Sequence, residues 1–163
     1  MKKKEEKTNV MRVLEQNKIH YISYCYVDTG VISGIDVATT LGQDPAQVFK
    51  TLVTVGNSNN HFVFLVPVSQ ELDLKKAAKA VGEKSINMLK SKDLLPLTGY
   101  IHGGCSPIGM KKQFKTVIDS SAANFDTIIF SGGKIGYQVE TSLDELKKVL
   151  RFELAELVVT PHS

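Results

Sequence analysis

A lysine interrupts the most apolar stretch of the chain. Residues 48–55 have the sequence VFKTLVTV, and Lys50 shares one side of this predicted strand with Val48, Leu52 and Thr54. An unpaired ammonium in an apolar interior is very costly or loses its proton. We therefore expect one of two arrangements: the lysine head reaches water near the start of the strand, or a cleft opens there and the charge meets a ligand.

Two glycine-rich loops, residues 103–109 and 131–136, each follow a predicted strand. The first carries the paired glycines Gly103 and Gly104, and glycine lets backbone N–H groups approach a ligand closely. Such donors suit a carbonyl oxygen that develops negative charge, although paired glycines also occur in plain tight turns. The second loop matches neither a Walker loop nor a dinucleotide fingerprint, because the spacing of its glycines and lysine is different.

Conventional catalytic groups are scarce. We expect neither a metal site nor a cofactor, because the histidines lack an i, i+4 partner or a nearby Cys/Asp pattern; they are His20, His61, His102 and His162. His102 flanks the first glycine loop and is more typical of a structural turn residue. Cys105, with lysines downstream that favour a thiolate, is either an activated nucleophile or simply a small loop residue. No carboxylate pair lies near either loop, which disfavours glycosidase chemistry.

Length and composition indicate an ordinary globular protein. The 163 residues are 42% hydrophobic and 23% charged, with a formal charge of +3, which permits phosphate contacts without arguing for nucleic acid. No apolar run approaches the roughly 18 residues of a membrane helix. The start of the chain, residues 1–7, is not followed by the apolar region of a signal peptide. Two cysteines are too few for a disulfide framework, so we expect a cytoplasmic protein.

Capping residues and terminal glycines predict five helices. The first begins at Thr8 or Asn9, the second runs from Ser33 to Gly42, and the third runs from Asp73 to Gly82. The fourth covers residues 91–95 ahead of Pro96, and the fifth begins at Ser142 with Glu145 as its capping partner. Strand patterns cover residues 21–27, 48–55, 61–68, 116–119, 127–130 and 157–159. The asparagine-rich link 57–60 makes the second and third strands an antiparallel hairpin. One hairpin combined with helix-separated strands predicts a single α/β domain over residues 1–163, built around a mixed sheet.

Three separate stretches of the chain, in the same order, resemble the YbaK/EbsC family. They are SGIDVA at 33–38 continuing through LGQDP at 41–45 to VFKTLV at 48–53, GGCSPIGMKK at 103–112, and SGGKIG at 131–136. The family comprises free-standing Cys-tRNA(Pro) deacylases related to the editing domain of bacterial prolyl-tRNA synthetases. The resemblance covers nearly the whole chain after the first helix.

The resemblance implies a mixed β-barrel-like sheet flanked by helices, with Lys50 as the essential catalytic side chain at the mouth of a pocket. It also implies a set of substrate-binding positions, namely Tyr24, Thr51, Gly103, Gly104, Cys105, Ser106, Pro107, Ser131 and Gly132. Gln138 stands where some family members carry an aspartate. If that carboxylate takes part in substrate selection, this chain has a different selectivity.

The activity implied by the resemblance is trans-editing, the removal of cysteine from mischarged Cys-tRNA(Pro), with Cys-tRNA(Cys) as a further candidate substrate. In the family picture the substrate's own thiol cyclises to a thiolactone and releases the tRNA. Two alternatives stay open: a deacylase for Ala-tRNA(Pro) that uses water, and a non-catalytic module that binds tRNA or a synthetase. The expected partners are the 3′ end of mischarged tRNA and, transiently, prolyl-tRNA synthetase, with no DNA and no membrane.

Overall fold

The computed structural model describes residues 7–160, and its strands form two sheets. In chain order the strands are β1 (Ile22–Cys25), β2 (Phe49–Gly56), β3 (His61–Pro67), β4 (Ile86–Met88), β5 (Lys115–Asp119), β6 (Ile128–Ser131), β7 (Tyr137–Thr141) and β8 (Phe152–Ala155). One sheet has the order β4-β2-β3-β5-β8 and the other β1-β7-β6. Two predictions concern residues outside the described range: the histidine survey included His162, and the signal-peptide argument included residues 1–6.

The larger sheet is mixed, as predicted. The pairs β4–β2 and β2–β3 are antiparallel, which confirms the hairpin, whereas β3–β5 and β5–β8 are parallel. A parallel bridge between Val48 and Ile129 joins the two sheets just before β2 begins, and the Ile129 N–H donates to the Gln47 carbonyl at 3.1 Å. This junction makes the sheets barrel-like, and the predicted fold class, a mixed β-barrel-like sheet flanked by helices, is confirmed.

Five helices surround the sheets: α1 (Asn9–Gln16), α2 (Gly34–Leu41), α3 (Leu74–Val81), α4 (Ser91–Thr98) and α5 (Leu143–Leu146). The predicted N-caps are in place, because the side chains of Thr8, Ser33, Asp73 and Ser142 each accept a backbone N–H of the first turn. Gly42 and Gly82 end α2 and α3 in the left-handed region, with φ of 70° and 73°, where glycine is favoured. No helix within residues 7–160 is long and apolar enough to cross a membrane.

Several predicted boundaries were wrong. Helix α4 continues through Pro96 and ends at its C-cap, Gly99, which has a φ of 87°. The proline removes only one amide donor from the helix. Beyond it, Thr98 Oγ1 donates to the Leu94 carbonyl at 2.8 Å. The first predicted strand ends at Cys25, because Val27 begins a 3₁₀ turn. The last strand lies at β8, and residues 157–159 contribute only a bridge from Val158 to Leu72. Strands β4 and β7 were not predicted.

Alternation along the central strands divides the core in two. Phe49, Val53 and Leu65 face α1 and the smaller sheet, whereas Phe64 and Val66 face Ala77 and Ala78 of α3. By the same alternation, Thr51 lies on the side of Phe49 and Val53, and Lys50 lies on the side of Leu52, toward the chain that leads into α3. The two neighbouring residues therefore project to opposite sides of β2.

Candidate active site

A cavity of about 590 Å³ opens along the unpaired edge of β2. On this edge β2 pairs with β4 from Thr54 to Gly56, and the β-bridge to the smaller sheet lies at Val48, just before β2 begins. The first half of β2 therefore has no neighbouring strand on this side. The cavity is lined by this half of β2 together with the starts of α2 and α4, the first glycine loop and the ends of β6 and β7.

Lys50 lines this cavity as the second residue of β2. Its side chain is 30% exposed, and its Nζ lies 3.6 Å from Oε1 of Glu71, a residue of the segment between β3 and α3. The lysine lies near the start of its strand with its head partly exposed, as the first expected arrangement requires, and a cleft opens at the same point. That a ligand meets the charge there stays a prediction. The ammonium meets solvent, a carboxylate and the cavity together.

Thr51, the next residue, brings unused hydrogen-bonding capacity to the cavity. Within the described residues its buried Oγ1 has no hydrogen-bond partner. The Val48 carbonyl accepts from Val68 on the β3 side, and the Val53 carbonyl accepts from Leu89 on the opposite side. Alternation between these two points directs the Thr51 N–H and C=O toward the gap. A buried polar group without a partner costs about 1–3 kcal/mol, so a ligand that bonds here relieves an existing cost.

The first glycine loop contributes His102, Gly103 and Cys105 to the cavity lining. Ser106 and Pro107 are buried behind it, and Ser106 Oγ accepts the Ile108 N–H at 3.4 Å. The expected row of amide donors is only partly available, because the Gly104 N–H already donates to the Ile101 carbonyl at 3.0 Å. Gly103 and Cys105 remain the candidate amide donors of this loop.

The two glycine loops touch each other, which explains part of their glycine content. A Cβ on Gly104 would lie 3.0 Å from the Ile135 nitrogen and 3.2 Å from Lys134 Cα, too close for an ordinary side chain. Gly132 is confined in the same way by Tyr137, and its N–H donates to the Tyr137 carbonyl at 2.9 Å. Ser131 lines the cavity, with its Oγ accepting the Gly133 N–H at 3.1 Å.

Tyr24 is engaged away from the cavity. Its hydroxyl donates to Oε1 of Glu140, a hydrogen bond that, together with burial, raises the pKa of Tyr24 to about 12. Thr127 donates to the other oxygen of Glu140, and Gln47 Nε2 donates to the Thr127 carbonyl at 2.9 Å. Tyr24 thus belongs to a network at the junction of the sheets, and Tyr26 is the tyrosine that lines the cavity.

The environment of Cys105 is unlike that of an activated nucleophile. The residue is 7% exposed, and burial raises the pKa of its thiol to about 12, the opposite of what a thiolate nucleophile requires. Two of the downstream lysines have other partners: Lys111 Nζ donates to the Pro96 carbonyl at 3.4 Å, and Lys115 pairs with Glu153 at 3.9 Å. Of the two interpretations of Cys105, the structure favours the small loop residue.

Glu71 was absent from the predicted site, and Gln138 was singled out only as a departure from the aspartate of some family members. Gln138, which is 4% exposed, lines the cavity and forms a reciprocal amide pair with Gln43, with N–O distances of 2.8 and 3.3 Å. This pair places a neutral, internally satisfied group where the resemblance had drawn attention to a missing carboxylate. Glu71 gave no signal, since an exposed glutamate in a polar loop is ordinary until its distance to Lys50 is known.

The lining therefore offers one ammonium, a hydroxyl without a partner and backbone amides, but among the described residues no lining carboxylate. No group of three or more His, Cys, Asp or Glu side chains in residues 7–160 is arranged to hold a metal ion. Such a site can position an already activated acyl group and stabilise an oxyanion. It does not present a side-chain nucleophile paired with a base.

The chain matches the aminoacyl-tRNA editing domain family over residues 32–149. It is 46% identical, over 96% of both chains, to an Enterococcus faecalis protein named as a candidate Cys-tRNA(Pro)/Cys-tRNA(Cys) deacylase, EbsC. Its fold is similar to the crystal structure of a candidate trans-editing enzyme for prolyl-tRNA synthetase, with a TM-score of 0.80, 23% identity and coverage of 93% and 95% of the two chains. A hypothetical protein of known crystal structure is similar with a TM-score of 0.81, 18% identity and coverage of 92% and 99%. By these matches the chain belongs to the aminoacyl-tRNA editing domain family.

Proposed function

We propose that this protein is a trans-editing deacylase that removes cysteine from mischarged Cys-tRNA(Pro), with Cys-tRNA(Cys) as a second substrate. The Enterococcus faecalis relative carries both substrates in its name. The observation that carries the proposal is the cavity itself: Lys50 and Thr51 are among the residues that line it, while its lining cysteine is buried with its pKa raised to about 12. An enzyme that supplies no nucleophile suits a substrate that brings its own.

The proposed reaction is an intramolecular acyl transfer. The substrate's thiol sulfur attacks its own ester carbonyl carbon, a C–S bond forms, and the C–O bond to the terminal ribose breaks. The products are a thiolactone and tRNA whose ribose hydroxyl has taken up the thiol proton. An aminoacyl ester is already activated, so positioning and oxyanion stabilisation suffice.

In this scheme Lys50 is the catalytic residue and holds the ester end of the substrate. Thr51 uses its unpartnered hydroxyl to bind the same end, and the Gly103 and Cys105 amides receive the developing negative charge. Ser131 lies at the cavity wall, and Gly104, Ser106, Pro107 and Gly132 keep the two loops packed behind it. Tyr24 supports the junction of the sheets through Glu140.

Such an enzyme is needed because a synthetase discriminates only weakly between amino acids of similar size. A synthetase site for proline cannot strongly reject cysteine, because small apolar differences are worth only about 1–3 kcal/mol. Cleavage of Cys-tRNA(Pro), Ala-tRNA(Pro) and S-methylcysteinyl-tRNA(Pro) by the purified protein tests the proposal. We expect rapid loss of cysteine alone, because the other two substrates lack a free thiol. Comparable cleavage of alanine would instead establish a water-using deacylase, and no cleavage of any substrate would indicate a binding module.

We further propose that a transient complex with prolyl-tRNA synthetase, in the cytoplasm, delivers the tRNA. A formal charge of +3 offers few phosphate contacts, chiefly at Lys111, Lys112, Lys115 and Lys134 near the loops. Lys111 and Lys115 also have partners within the protein. Each neutralised phosphate contributes a slope of roughly 0.7 to 0.9 in log K against log salt, so binding to free tRNA should be weak and modestly salt-dependent. Titration of salt with and without the synthetase tests this, and tight, tRNA(Pro)-selective binding by the isolated protein would contradict it.

A further inference from the structure

Glu71 is the carboxylate that the structure places against the proposed catalytic lysine. Its Oε1 lies 3.6 Å from Nζ of Lys50, a residue of the cavity lining, and its side chain is 83% exposed. Because this separation exceeds ordinary hydrogen-bond length, the carboxylate retains most of its capacity to accept hydrogen bonds. The inference developed from this pair rests on the proposed function.

The charge of the substrate creates a need that the cavity lining does not meet. A free aminoacyl ester carries an α-ammonium group two bonds from the carbonyl carbon that must be positioned at Lys50. Two cations at this separation repel each other, the more so in a partly desolvated cavity. Among the described lining residues Lys50 is the charged one and no carboxylate is present, so a counter-charge must come from outside the lining.

We infer that Glu71 recognises the α-ammonium of the aminoacyl group and is thereby a specificity-determining residue for substrates with a free α-amine. In the free enzyme its carboxylate is the counter-ion of Lys50, and on binding it is shared between the lysine and the substrate. Exposed ion pairs contribute little to stability, so redirecting the carboxylate costs little. The N-acylated form of the same substrate offers no cation and gains nothing from Glu71.

Hydrogen bonds anchor the backbone around Glu71, although its side chain is largely exposed. Its carbonyl accepts the Val159 N–H at 3.0 Å, and the next residue, Leu72, forms an antiparallel bridge with Val158. The Asp73 N–H then donates to the Leu157 carbonyl at 2.7 Å. An anchored backbone with an exposed carboxylate is suited to bind a small cation without rearrangement of the fold.

The other carboxylates near the cavity have their own structural roles. Asp36 and Asp93 lie in the first turns of α2 and α4, where a negative charge favours the helix. Glu153 provides a matched control, since it forms a similarly loose exposed pair, 3.9 Å from Lys115 Nζ, on β8. The control pair has the same chemistry as Lys50–Glu71 but is not at the cavity.

The test combines Glu71→Gln with a change in the substrate. Steady-state kinetics are measured for the wild type, Glu71→Gln and Glu153→Gln with cysteinyl-tRNA(Pro) and with N-acetylcysteinyl-tRNA(Pro), which keeps its thiol. We expect Glu71→Gln to lose about 10- to 100-fold in kcat/KM for the free amine, mainly through KM, because a charge-assisted hydrogen bond is lost. We expect little change for the acetylated substrate, and none with either substrate for Glu153→Gln.

Equal losses for both substrates would overturn the inference, because Glu71 would then act only through Lys50. Unchanged kinetics for Glu71→Gln would also overturn it and leave Glu71 as an ordinary surface charge. Failure of the proposed function is a separate outcome, in which the wild type cleaves neither substrate. In that case the affinity of a non-cleavable 3′-cysteinylamido-adenosine and of its N-acetyl form decides: loss of preference for the free amine on Glu71→Gln supports the inference, and an unchanged preference rejects it.

Discussion

Two lysines of this protein, Lys50 on β2 and Lys76 on α3, each pair with a glutamate, and the two pairs differ in construction. Lys76 Nζ makes three contacts of 2.8 Å, to Glu156 Oε1, the Val158 carbonyl and Thr160 Oγ1. Lys50 Nζ has the Glu71 carboxylate at 3.6 Å and lies on a cavity. The exposed fractions of the two side chains, 26% and 30%, are nearly the same.

Burial alone therefore does not distinguish a structural lysine from one available for chemistry. An ammonium has three donors, and Lys76 has used all of them to hold the C-terminal segment against α3. Lys50 has donors to spare, beside a cavity that contains the unpartnered hydroxyl of Thr51. The degree to which a charged group is satisfied by the fold is the useful measure.

The two regions are also connected. The segment held by Lys76 includes Val158, which bridges to Leu72, and Val159, whose N–H donates to the Glu71 carbonyl at 3.0 Å. The satisfied lysine thus helps to fix the backbone from which Glu71 reaches the unsatisfied one. Replacing each of the two lysines in turn tests this comparison.

The largest effect is expected for Lys50→Ala. We expect kcat/KM for Cys-tRNA(Pro) to fall by about 100-fold or more, because the group that holds the ester end of the substrate in position is removed. The melting temperature should change by no more than about 2 °C, since a loose exposed ion pair contributes little. Kinetics and thermal melting on the same preparation check both halves. Wild-type turnover, or a large drop in melting temperature, would contradict the assignment.

Lys76→Met should have the opposite profile. We expect the free energy of unfolding to fall by about 1–3 kcal/mol, because three hydrogen bonds to the C-terminal segment are lost while the aliphatic stem remains. Activity at 25 °C should stay within a few-fold of the wild type. Urea unfolding measures the first quantity, and Lys79→Met, on the same helix, is the control. A variant as stable as the wild type would remove the structural half of the comparison.

Alkaline pH should sharpen the contrast between solvent-facing and buried groups. Burial raises the pKa of the Cys105 thiol to about 12, so the folded protein keeps this proton where the unfolded chain releases it. The stability that this group contributes is complete below about pH 8.5, the thiol's ordinary pKa. It is lost progressively as the pH rises toward 12. Urea unfolding at pH 8 and pH 10 should show a smaller decrease for Cys105→Ala than for the wild type, and equal decreases would contradict the burial argument.

The smallest effect is expected for the activity of Cys105→Ala, which should remain within about threefold of the wild type. The reason is that a thiol with a pKa of about 12 is protonated near neutral pH and is a poor nucleophile in that form. Initial rates with Cys-tRNA(Pro) check this, together with a search for an enzyme-bound thioester by mass spectrometry. A loss of several hundredfold with a trapped thioester in the wild type would make Cys105 the nucleophile.

Much of the fold was predictable from local signals. The N-caps Ser33, Asp73 and Ser142 bond to amides within three residues of themselves, so their effect is visible in a short window. Strands β4 and β7 were missed because a short strand is defined by its partners, and each has a partner that is distant in the sequence: β4 pairs with β2, and β7 pairs with β1. Pro96 was overrated as a helix end, because the helix continues past it and the actual end is set by Gly99.

The predictions about the site likewise divide into those that rest on local signals and those that depend on contacts between distant segments. Lys50 was recognisable because a charge inside an apolar strand is anomalous in any fold. Tyr24 and Tyr26 could not be told apart, since which of them turns to the cavity depends on how β1 ends and on the Glu140 side chain of β7. Glu71 was invisible because its importance is a distance between two segments.

By itself the sequence determined the helix N-caps, the glycine ends of α2 and α3, the β2–β3 hairpin, the anomalous lysine and the two glycine loops that help to carry the family resemblance. Only the tertiary structure decided that the first half of β2 keeps an open edge, that the loops pack on each other at Gly104, that Cys105 is buried and that Glu71 faces Lys50. The physical reason is the sequence separation between the groups that interact. Backbone conformation and capping depend on neighbours within a few residues, whereas desolvation, ion pairing and an unpaired strand edge depend on segments brought together from across the chain.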